Sequence, residues 1–379
     1  MRKIVVAPDK FKECLPAVAV ADRIEAGLRR ALGDVAIDKV PMADGGDGTV
    51  EALVAATRGR KVAVRVTGPL GEEVEAEFGL LGNGTTAVIE MAAASGLALV
   101  PREKRNPLIT TTRGTGELIR AALDRGVKKV ICGIGGSATN DGGVGMAAAL
   151  GAKFLDSEGH SVQGGGGCLA RIARIELDGL HPGAKEVEFL VACDVDNPLT
   201  GPRGAAQVYG PQKGATPEMV ALLDAGLAHL ADVVETQLHK SVRHLPGAGA
   251  AGGLGAGFVA FLGGKLRRGV ELVIEAVQLR SRLAGADLAI TGEGRMDSQS
   301  VRGKTAIGVA ETASALGVPV IAIVGSLGEG HAEALRHGIS ASFSILDAPM
   351  GLEEAIRRAP ELLERTAEQV GRVLSICRG

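Results

Sequence analysis

Residues 287–297 read Asp287-Leu288-Ala289-Ile290-Thr291-Gly292-Glu293-Gly294-Arg295-Met296-Asp297, a short apolar run that ends in glycines and charged side chains. An apolar run bounded by turn residues predicts a buried strand. The chain begins in the same way, because the apolar run from Lys3 to Ala7 precedes Pro8 and Asp9. Strand and helix patterns alternate simply in the first sixty residues and again from about residue 285. We therefore predict that both ends of the chain build one parallel α/β domain.

The helices of these end segments are predicted from apolar residues at helical spacing. Val20, Ile24 and Leu28 follow one another four residues apart, so they form one face of an amphipathic helix. A final helix is predicted over residues 352–374, with a break at Pro360 because proline lacks the N–H that a helix interior uses.

The middle of the chain follows a different pattern. Residues 62–91 contain three apolar runs separated by Gly68-Pro69-Leu70-Gly71 and Gly82-Asn83-Gly84, which predicts a hairpin or meander. We therefore place residues 1–62 and 285–379 in one discontinuous α/β domain. Residues 63–284 form an inserted second α/β domain that contains this β-rich segment.

Composition narrows the class of protein. The 379 residues include 56 glycines, roughly twice the usual ~7%, but no Gly-X-Y period, so collagen is excluded. The net charge is −2, and there are only eight aromatic residues, seven Phe and one Tyr. Nucleic-acid binding is therefore not expected, because few rings are available to stack on bases. The seven histidines show no metal-ligand spacing.

Three features predict a cytoplasmic protein that does not enter a membrane. The apolar run at the N-terminus is too short for a signal peptide. Residues 245–264 carry no charge, but they contain eight glycines and Pro246, which favours a glycine-rich loop leading into a buried helix. The five cysteines, at positions 14, 132, 168, 193 and 377, are scattered and odd in number, as expected of reduced thiols.

Polar groups collect where the predicted strands end. In an open α/β sheet, ligands bind beyond the carboxyl ends of the strands. The groups at those ends are Asp9, Lys10, Lys12, Asp44, Asp47, Asn140, Asp141, Asp194, Asp196, Asn197, Glu293, Arg295 and Asp297. Carboxylates and cations embedded in glycines suit phosphoryl transfer from a nucleotide, which needs phosphate binding, Mg²⁺ and an acceptor for the hydroxyl proton.

The loop 135–143 has two interpretations. Gly133, Gly135 and Ala138 match the spacing of a dinucleotide-binding turn, but residues 139–143 intervene before the helix, so the tight turn of that motif is missing. A glycine-rich loop that opens a helix is also a suitable anion cradle, because free N–H groups and the helix dipole point into it.

Other motifs keep two interpretations each. Gly303-Lys304-Thr305 resembles the end of a P-loop, but Ser298 stands where the first glycine belongs, so Lys304 either faces a phosphate or is an ordinary helix N-terminal lysine. The segment Gly249–Gly253 serves close packing or binds a ligand. Lys10 and Lys12 could be surface charges, Asp44 a turn residue, and Glu293, Arg295 and Asp297 a solvated ion-pair group.

Taken together, these segments resemble the bacterial glycerate kinases of the glycerate 2-kinase type. The matching segments lie in family order at residues 7–12, 41–49, 133–143, 193–201, 210–215, 247–253 and 291–297, with Gln299-Ser300 and Gly303-Lys304. One departure is clear: Glu13 and Cys14 stand where the family usually has glycine followed by serine or threonine.

The resemblance implies ATP- and Mg²⁺-dependent phosphorylation of D-glycerate, more often on the 2-hydroxyl than on the 3-hydroxyl. It also implies that the domain built from both chain ends is flavodoxin-like and that the active site lies in the cleft between the domains. The phosphorylated hydroxyl, the oligomeric state, which includes a possible homo-oligomer, and the degree of domain closure are left open.

The site residues are assigned on this basis. The catalytic residues are expected to be Asp297 or Asp194 as general base, with Lys12 and Arg295 neutralising phosphate or the glycerate carboxylate. The residues expected to bind ATP are Gly135, Gly136, Ser137, Ala138, Thr139, Asn140, Gly252, Gly253 and Lys304. Those expected to bind glycerate are Asp9, Lys10, Asp44, Gly45, Gly46, Asn197 and Glu293, and those for the metal are Asp44 and Asp141.

Two other functions are compatible with parts of the sequence. A nicotinamide-dependent oxidoreductase acting on a 2-hydroxy acid would use the Gly133–Ala138 turn, and the insertion after Gly135 argues against it. A non-catalytic binding protein for a small acid would not consume ATP. A kinase for a different small hydroxy acid belongs to the same class as the first hypothesis.

Overall fold

The computed structural model describes residues 2–302 and 304–376. The strands are β1 (Lys3–Val6), β2 (Ala36–Lys39), β3 (Arg60–Thr67), β4 (Glu73–Leu80), β5 (Thr86–Glu90), β6 (Lys129–Gly133), β7 (Lys153–Leu155), β8 (Arg174–Glu176), β9 (Glu188–Ala192), β10 (Lys265–Arg267), β11 (Leu288–Thr291), β12 (Arg295–Met296), β13 (Val320–Val324), β14 (Ser326–Leu327) and β15 (Ala341–Ser344).

The helices connect these strands. The α-helices are α1 (Ala17–Leu32), α2 (Thr49–Thr57), α3 (Ala92–Ser95), α4 (Arg113–Leu123), α5 (Val144–Ala149), α6 (Ala205–Tyr209), α7 (Pro217–Leu238), α8 (Ala250–Leu262), α9 (Gly269–Ala276), α10 (Leu279–Leu283), α11 (Thr305–Ser314) and α12 (Leu352–Ile376). Short 3₁₀ turns occupy Leu97–Leu99, Arg102–Lys104, Gly166–Arg171, Pro182–Lys185, Pro211–Lys213, Ser300–Arg302 and His331–His337.

The chain folds into two compact units. Unit 1 comprises Met1–Asp44, Glu51–Gly59 and Val270–Gly379, and unit 2 comprises Gly45–Val50 and Arg60–Gly269. The chain returns to unit 1 at Val270, earlier than the residue 285 expected from the strand pattern. The reason is that α9 packs on α11, where Val270 and Ile274 approach Gly308.

Unit 1 has a flavodoxin-like sheet, as predicted. Its strand order is β15-β13-β11-β1-β2, and every neighbouring pair is parallel. Counted along the unit, this is the order 2-1-3-4-5. The loop after β1 leads towards β2 and the loop after β11 towards β13, so the two connections diverge at the carboxyl ends of β1 and β11. This switch point is where open α/β sheets bind ligands.

The core of unit 1 joins α1 and α12 to the sheet. Val20, Ile24 and Leu28 are fully buried, which confirms the predicted apolar face of α1. The predicted break at Pro360 is wrong, because α12 continues through it to Ile376. The buried leucines that follow Pro360, Leu362 and Leu363, belong to the same core as α1, and this packing holds the helix together where proline removes one backbone hydrogen bond.

Unit 2 contains a six-stranded mixed sheet of order β10-β9-β6-β5-β4-β3. The pairs β3–β4 and β4–β5 are antiparallel, which confirms the predicted meander, and the remaining pairs are parallel. Phe154 and Phe261 meet edge to face in its core, with ring centroids 5.3 Å apart. No helix within residues 2–302 and 304–376 is long and apolar enough to cross a membrane. Cys14, Cys132, Cys168 and Cys193 are free thiols, and Cys377 lies outside the described residues.

Candidate active site

Two carboxylates stand at the switch point of unit 1. The backbone N–H of Asp9 donates to the carbonyl of Gly292 (2.9 Å), which ties the loop after β1 to the loop after β11. Glu293 is the next residue along that second loop. The sheet therefore brings Asp9 and Glu293 together, although 283 residues separate them in the chain.

Asp9 is held by α11 and by its own loop. Its Oδ2 accepts a 2.5 Å hydrogen bond from the Thr305 hydroxyl, and its Oδ1 accepts one from the backbone N–H of Lys10 (2.7 Å). Burial, and then the negative charge of Asp44, raise the pKa of Asp9 to about 6. A carboxylate with this pKa is a candidate for proton transfer or cation binding near neutral pH.

Glu293 is the more strongly perturbed of the two. It is 8% exposed, and its Oε1 has no hydrogen-bond partner among the described residues. Its Oε2 lies 3.8 Å from Nζ of Lys304, the residue that precedes the first residue of α11. Burial raises the pKa of Glu293 to about 7, against the smaller opposing effects of Ser300 and Lys304.

Arg295 and Asp297 lie beside this pair in a more open position. Arg295 Nε is 3.2 Å from Asp297 Oδ2, and the Arg295 side chain is 67% exposed. Asp297 Oδ1 accepts from the backbone N–H of Gln299, so the carboxylate faces a turn as well as the arginine. Lys12 is exposed and Lys10 half-buried, both in the loop after β1. The structure thus places seven of the predicted residues in unit 1 around the ends of β1 and β11: Asp9, Lys10, Lys12, Glu293, Arg295, Asp297 and Lys304.

The departure at residues 13 and 14 has a structural basis. Glu13 has φ 60°, a left-handed conformation that glycine adopts without strain. Cys14 takes the place of the usual hydroxyl residue and donates from Sγ to the carbonyl of Ile356 (3.5 Å).

In unit 2, the loop 135–143 is largely inaccessible. Gly135 and Gly136 are exposed, but Ser137, Ala138, Thr139 and Asn140 are buried. The helix that follows, α5, has only six residues. Within this loop only the two glycines can approach a ligand in the described conformation.

Asp141 occupies the N-terminus of α5. It is fully buried, and its carboxylate accepts from the backbone N–H groups of Thr112, Gly143 and Gly145 and from the hydroxyls of Thr112 and Thr111. Its pKa is raised because burial outweighs these hydrogen bonds. Asp141 is therefore an internal hydrogen-bond acceptor for two N–H groups at the start of this helix, those of Gly143 and Gly145.

Lys213 is a functional candidate that the sequence predicts only as part of the family segment 210–215. It is 2% exposed, and its Nζ donates to the carbonyl of Thr139 (2.6 Å). Burial lowers the pKa of Lys213 to about 7, although the charge of Asp141 acts in the opposite direction. Its position between Pro211 and Gly214 in a matching family segment was the available signal.

The glycine segment 249–253 packs against the same loop. Ala251, Gly252 and Gly253 have left-handed φ values of 53°, 68° and 88°. A side chain at Gly252 would have its Cβ 2.0 Å from the carbonyl oxygen of Thr139, so close backbone packing alone requires glycine there. The buried side-chain atoms Thr139 Oγ1, Asn140 Nδ2 and Asn140 Oδ1 have no hydrogen-bond partner within the described part of the chain.

The other predicted residues of unit 2 form hydrogen bonds or packing contacts within that unit. Asp194 is exposed and accepts from the backbone N–H of Gly269 (2.9 Å). Asn197 donates to the carbonyl of Arg203 and accepts from the Tyr209 hydroxyl (2.7 Å). Gly45 is buried, and a Cβ there would lie 2.3 Å from the Cβ of Ala192, whereas Gly46 is half-buried.

The acidic groups do not form a preassembled metal centre. Across the described residues, no group of three or more His, Cys, Asp or Glu side chains is arranged to hold a metal ion. Mg²⁺ in kinases is usually held by one or two carboxylates together with substrate phosphates. Asp9 and Asp44 fit that pattern, since their negative charges interact closely enough to raise the pKa of Asp9.

Comparisons with known proteins show the family of the chain. A profile of the glycerate kinase family matches residues 4–375. A glycerate kinase of Bacillus subtilis (strain 168) is 53% identical over 99% of this chain and 98% of its own length. A glycerate 2-kinase of Escherichia coli (strain K12) is 51% identical over 99% of this chain and 98% of its own length.

A solved structure is similar over the whole chain. It is a crystal structure, from Salmonella typhimurium LT2, of a protein assigned as glycerate kinase 2, with a TM-score of 0.92 and 51% sequence identity. It covers 100% of this chain and 99% of its own. The chain described here belongs to the glycerate kinase family.

Proposed function

We propose that the protein transfers the γ-phosphoryl group of ATP to the 2-hydroxyl of D-glycerate, giving 2-phosphoglycerate and ADP. The observation that carries this proposal is the 51% identity, over 99% of the chain, to a relative named glycerate 2-kinase. The glycerate hydroxyl oxygen attacks the γ-phosphorus, the bond to the β–γ bridging oxygen breaks, and the hydroxyl proton passes to a carboxylate.

Asp297 or Asp194 is proposed as the carboxylate that accepts the hydroxyl proton. Asp297 is supported by its place beside the switch point of unit 1, and Asp194 by its exposure at the end of β9. Glu293 is a further candidate for this role, because a base is most effective when its pKa lies near the working pH and burial holds the pKa of Glu293 at about 7.

Cations near the switch point are proposed to neutralise the charge of the reactants. Lys12 and Arg295 are exposed and long enough to adapt to a phosphate or to the glycerate carboxylate. Lys304 already lies near Glu293, which supports a position close to the reacting groups. Lys10 and the carboxylate of Asp44 are also proposed to contact glycerate from this unit.

Mg²⁺ is the expected metal, and Asp9 and Asp44 are the residues we propose for it. A bound divalent cation would relieve the repulsion between these two carboxylates. When bound, Mg²⁺ neutralises charge on the transferring phosphate. The five donors around Asp141 argue against a metal there, because they already occupy the lone pairs of its two oxygens that a cation would need.

The contributions of unit 2 stay predictions. Exposed Gly135 and Gly136 are the part of the loop 135–143 that we propose to reach phosphate, whereas the packing of Gly252 and Gly253 favours a structural role for them. Three other expectations also stay predictions: substrate contacts by Gly45, Gly46 and Asn197, a site between the two domains, and a homo-oligomer.

The test is a coupled assay of ADP release with the acceptor varied. D-glycerate should give turnover, whereas L-glycerate and lactate should give at least tenfold lower kcat/KM. Turnover with lactate but not glycerate would show a kinase with a different substrate. No ADP release, together with reduction of NAD by glycerate, would overturn the proposal in favour of the oxidoreductase, for which no relative gives support.

A further inference from the structure

Unit 1 contains a cavity of about 350 Å³, and of its lining residues the proposed contacts above use only Lys12. It opens at the carboxyl end of the parallel sheet, among the loop after β1, the ends of β11, β13 and β15, and the start of α12. Ligands of open α/β sheets bind at this end of the strands.

The walls of the cavity are mainly apolar. The apolar lining includes Phe11, Ile345, Met350, Ala355, Ile356 and Ala359. Phe11, Ile345 and Ala359 also belong to the core of unit 1, so the wall of the cavity is continuous with that core. Polar side chains are few: Lys12, Glu13 and Cys14 from the loop after β1, and Ser326 from the segment after β13.

The rim of the cavity exposes large apolar side chains. Leu346 is 38% exposed and Leu352 is 77% exposed, and both line the cavity. Exposed apolar groups gathered around a concave surface mark a binding site more often than a solvated surface. An apolar or aromatic ligand that covered them would gain about 25 cal/mol for each Å² of apolar surface removed from water.

Size and polarity decide which reactant fits. Pockets for ligands of drug size begin at about 300 Å³, and glycerate, a three-carbon anion, would leave most of this cavity empty. A carboxylate against aliphatic walls would also lose its hydration without compensation. The nucleoside of ATP is large and uncharged and carries a flat base, so it matches the cavity where glycerate does not.

The cavity also lies next to the proposed reacting groups. Gly294 forms part of its wall and directly follows Glu293 in the chain. The wall here is formed by backbone, because residue 294 is glycine. The N–H of Ser326 donates to the carbonyl of Gly294 (3.1 Å). A Cβ at Gly325 would lie 2.3 Å from that same carbonyl oxygen, so residue 325 must be glycine.

We propose that this cavity binds the adenosine moiety of the phosphoryl donor, with adenine against Ile345, Met350 and Ile356 and the phosphates directed towards Lys12. The inference rests on the proposed kinase function. It places the nucleoside in unit 1, and it accounts for adenine binding in a protein that has no tryptophan and one tyrosine.

The first test is protection of Cys14, which lines the cavity as a half-buried free thiol. The wild-type protein is treated with N-ethylmaleimide, and the Cys14 peptide is quantified by mass spectrometry. Adenosine or ADP should slow modification of Cys14 at least fivefold, and inorganic tripolyphosphate should not. Cys168 of unit 2, also half-buried, is the internal control and should react at the same rate throughout. Protection by tripolyphosphate but not by adenosine would overturn the inference.

The second test is Ala355→Trp, which fills the cavity from α12. We expect KM for ATP to rise at least tenfold while KM for D-glycerate changes less than twofold. Gln369→Trp places the same side chain at an exposed position of the same helix and should change neither value. Unchanged KM for ATP in folded Ala355→Trp would contradict the inference even if the wild type is an active glycerate kinase. Cys14 protection by adenosine in an inactive wild type would instead refute the proposed function alone.

Discussion

Replacing Lys213 with methionine should change how the stability of unit 2 depends on pH. The ammonium is 2% exposed, and burial lowers its pKa to about 7, whereas an unfolded lysine titrates near 10.4. The folded pKa lies below the unfolded one, so the unfolded state binds more protons between these values, and stability rises with pH across that window.

The size of the effect follows from the shift. Each unit of pKa difference corresponds to about 1.4 kcal/mol, so wild type should gain about 2–3 kcal/mol from this group between pH 6 and pH 9. Lys213→Met lacks this pH-dependent gain in the free energy of unfolding. It also loses the hydrogen bond to Thr139, a cost of about 1–3 kcal/mol that does not depend on pH. The charge of Asp141 opposes the shift and is already included in the value of about 7.

The assay is urea unfolding at pH 6 and pH 9, followed by tyrosine fluorescence. Tyr209 is the only tyrosine, there is no tryptophan, and Tyr209 lies in unit 2, so the signal reports that unit. The free energy of unfolding of wild type minus that of Lys213→Met should rise by about 2–3 kcal/mol from pH 6 to pH 9. Exposed Lys185→Met should show no such change. A difference that stays flat or falls with pH would contradict a lowered pKa of Lys213 in the folded protein.

Three further predictions concern unit 1 and the base. Glu13→Gly should raise the free energy of unfolding by about 0.5–1 kcal/mol, because the left-handed φ of 60° strains a non-glycine residue; thermal unfolding measures this. Asp297→Asn or Asp194→Asn should lower kcat by ~10²-fold or more, whichever residue is the base. Thr305→Val removes the hydrogen bond that lowers the pKa of Asp9, so the acidic limb of the kcat/KM profile should move to higher pH.

Matched variants control these predictions. Glu13→Ala keeps the strain and should not stabilise the protein. Asp196→Asn alters an exposed carboxylate paired with Arg203 and should leave kcat unchanged. Thr312→Val removes a hydroxyl that bonds only within α11 and should not move the pH profile. Near-normal turnover of both Asp297→Asn and Asp194→Asn would exclude both residues as the base.

Repeating chemical patterns made the architecture of unit 1 predictable. The apolar runs at Lys3–Val6 and Leu288–Thr291 are hydrophobic on both faces, as buried parallel strands must be, and the face of α1 repeats every four residues. Pro360 was predicted wrongly, because local propensity cannot register the core that α12 shares with α1.

The candidate site was less predictable, because its chemistry depends on burial and on contacts distant in sequence. The sequence placed Glu293 at a strand end. It did not show that Oε1 of Glu293 is buried without a hydrogen-bond partner among the described residues, or that the pKa of Glu293 is raised. It suggested Asp141 as a metal ligand, whereas the fold supplies hydrogen-bond donors to that carboxylate from Thr112, the N-cap of α4, and from Gly145 of α5. No pattern in the sequence marks Lys213 as a buried lysine. Only the packed structure shows that its ammonium is buried.

The most direct test of glycerate 2-phosphorylation is ³¹P NMR of the product formed from ATP, Mg²⁺ and D-glycerate. The proposed function predicts loss of the γ-phosphate resonance of ATP and the appearance of one phosphomonoester that coincides with added authentic 2-phosphoglycerate. A product that coincides with 3-phosphoglycerate would contradict the assigned position of phosphorylation. An unchanged ATP spectrum from folded protein would contradict the proposed function itself.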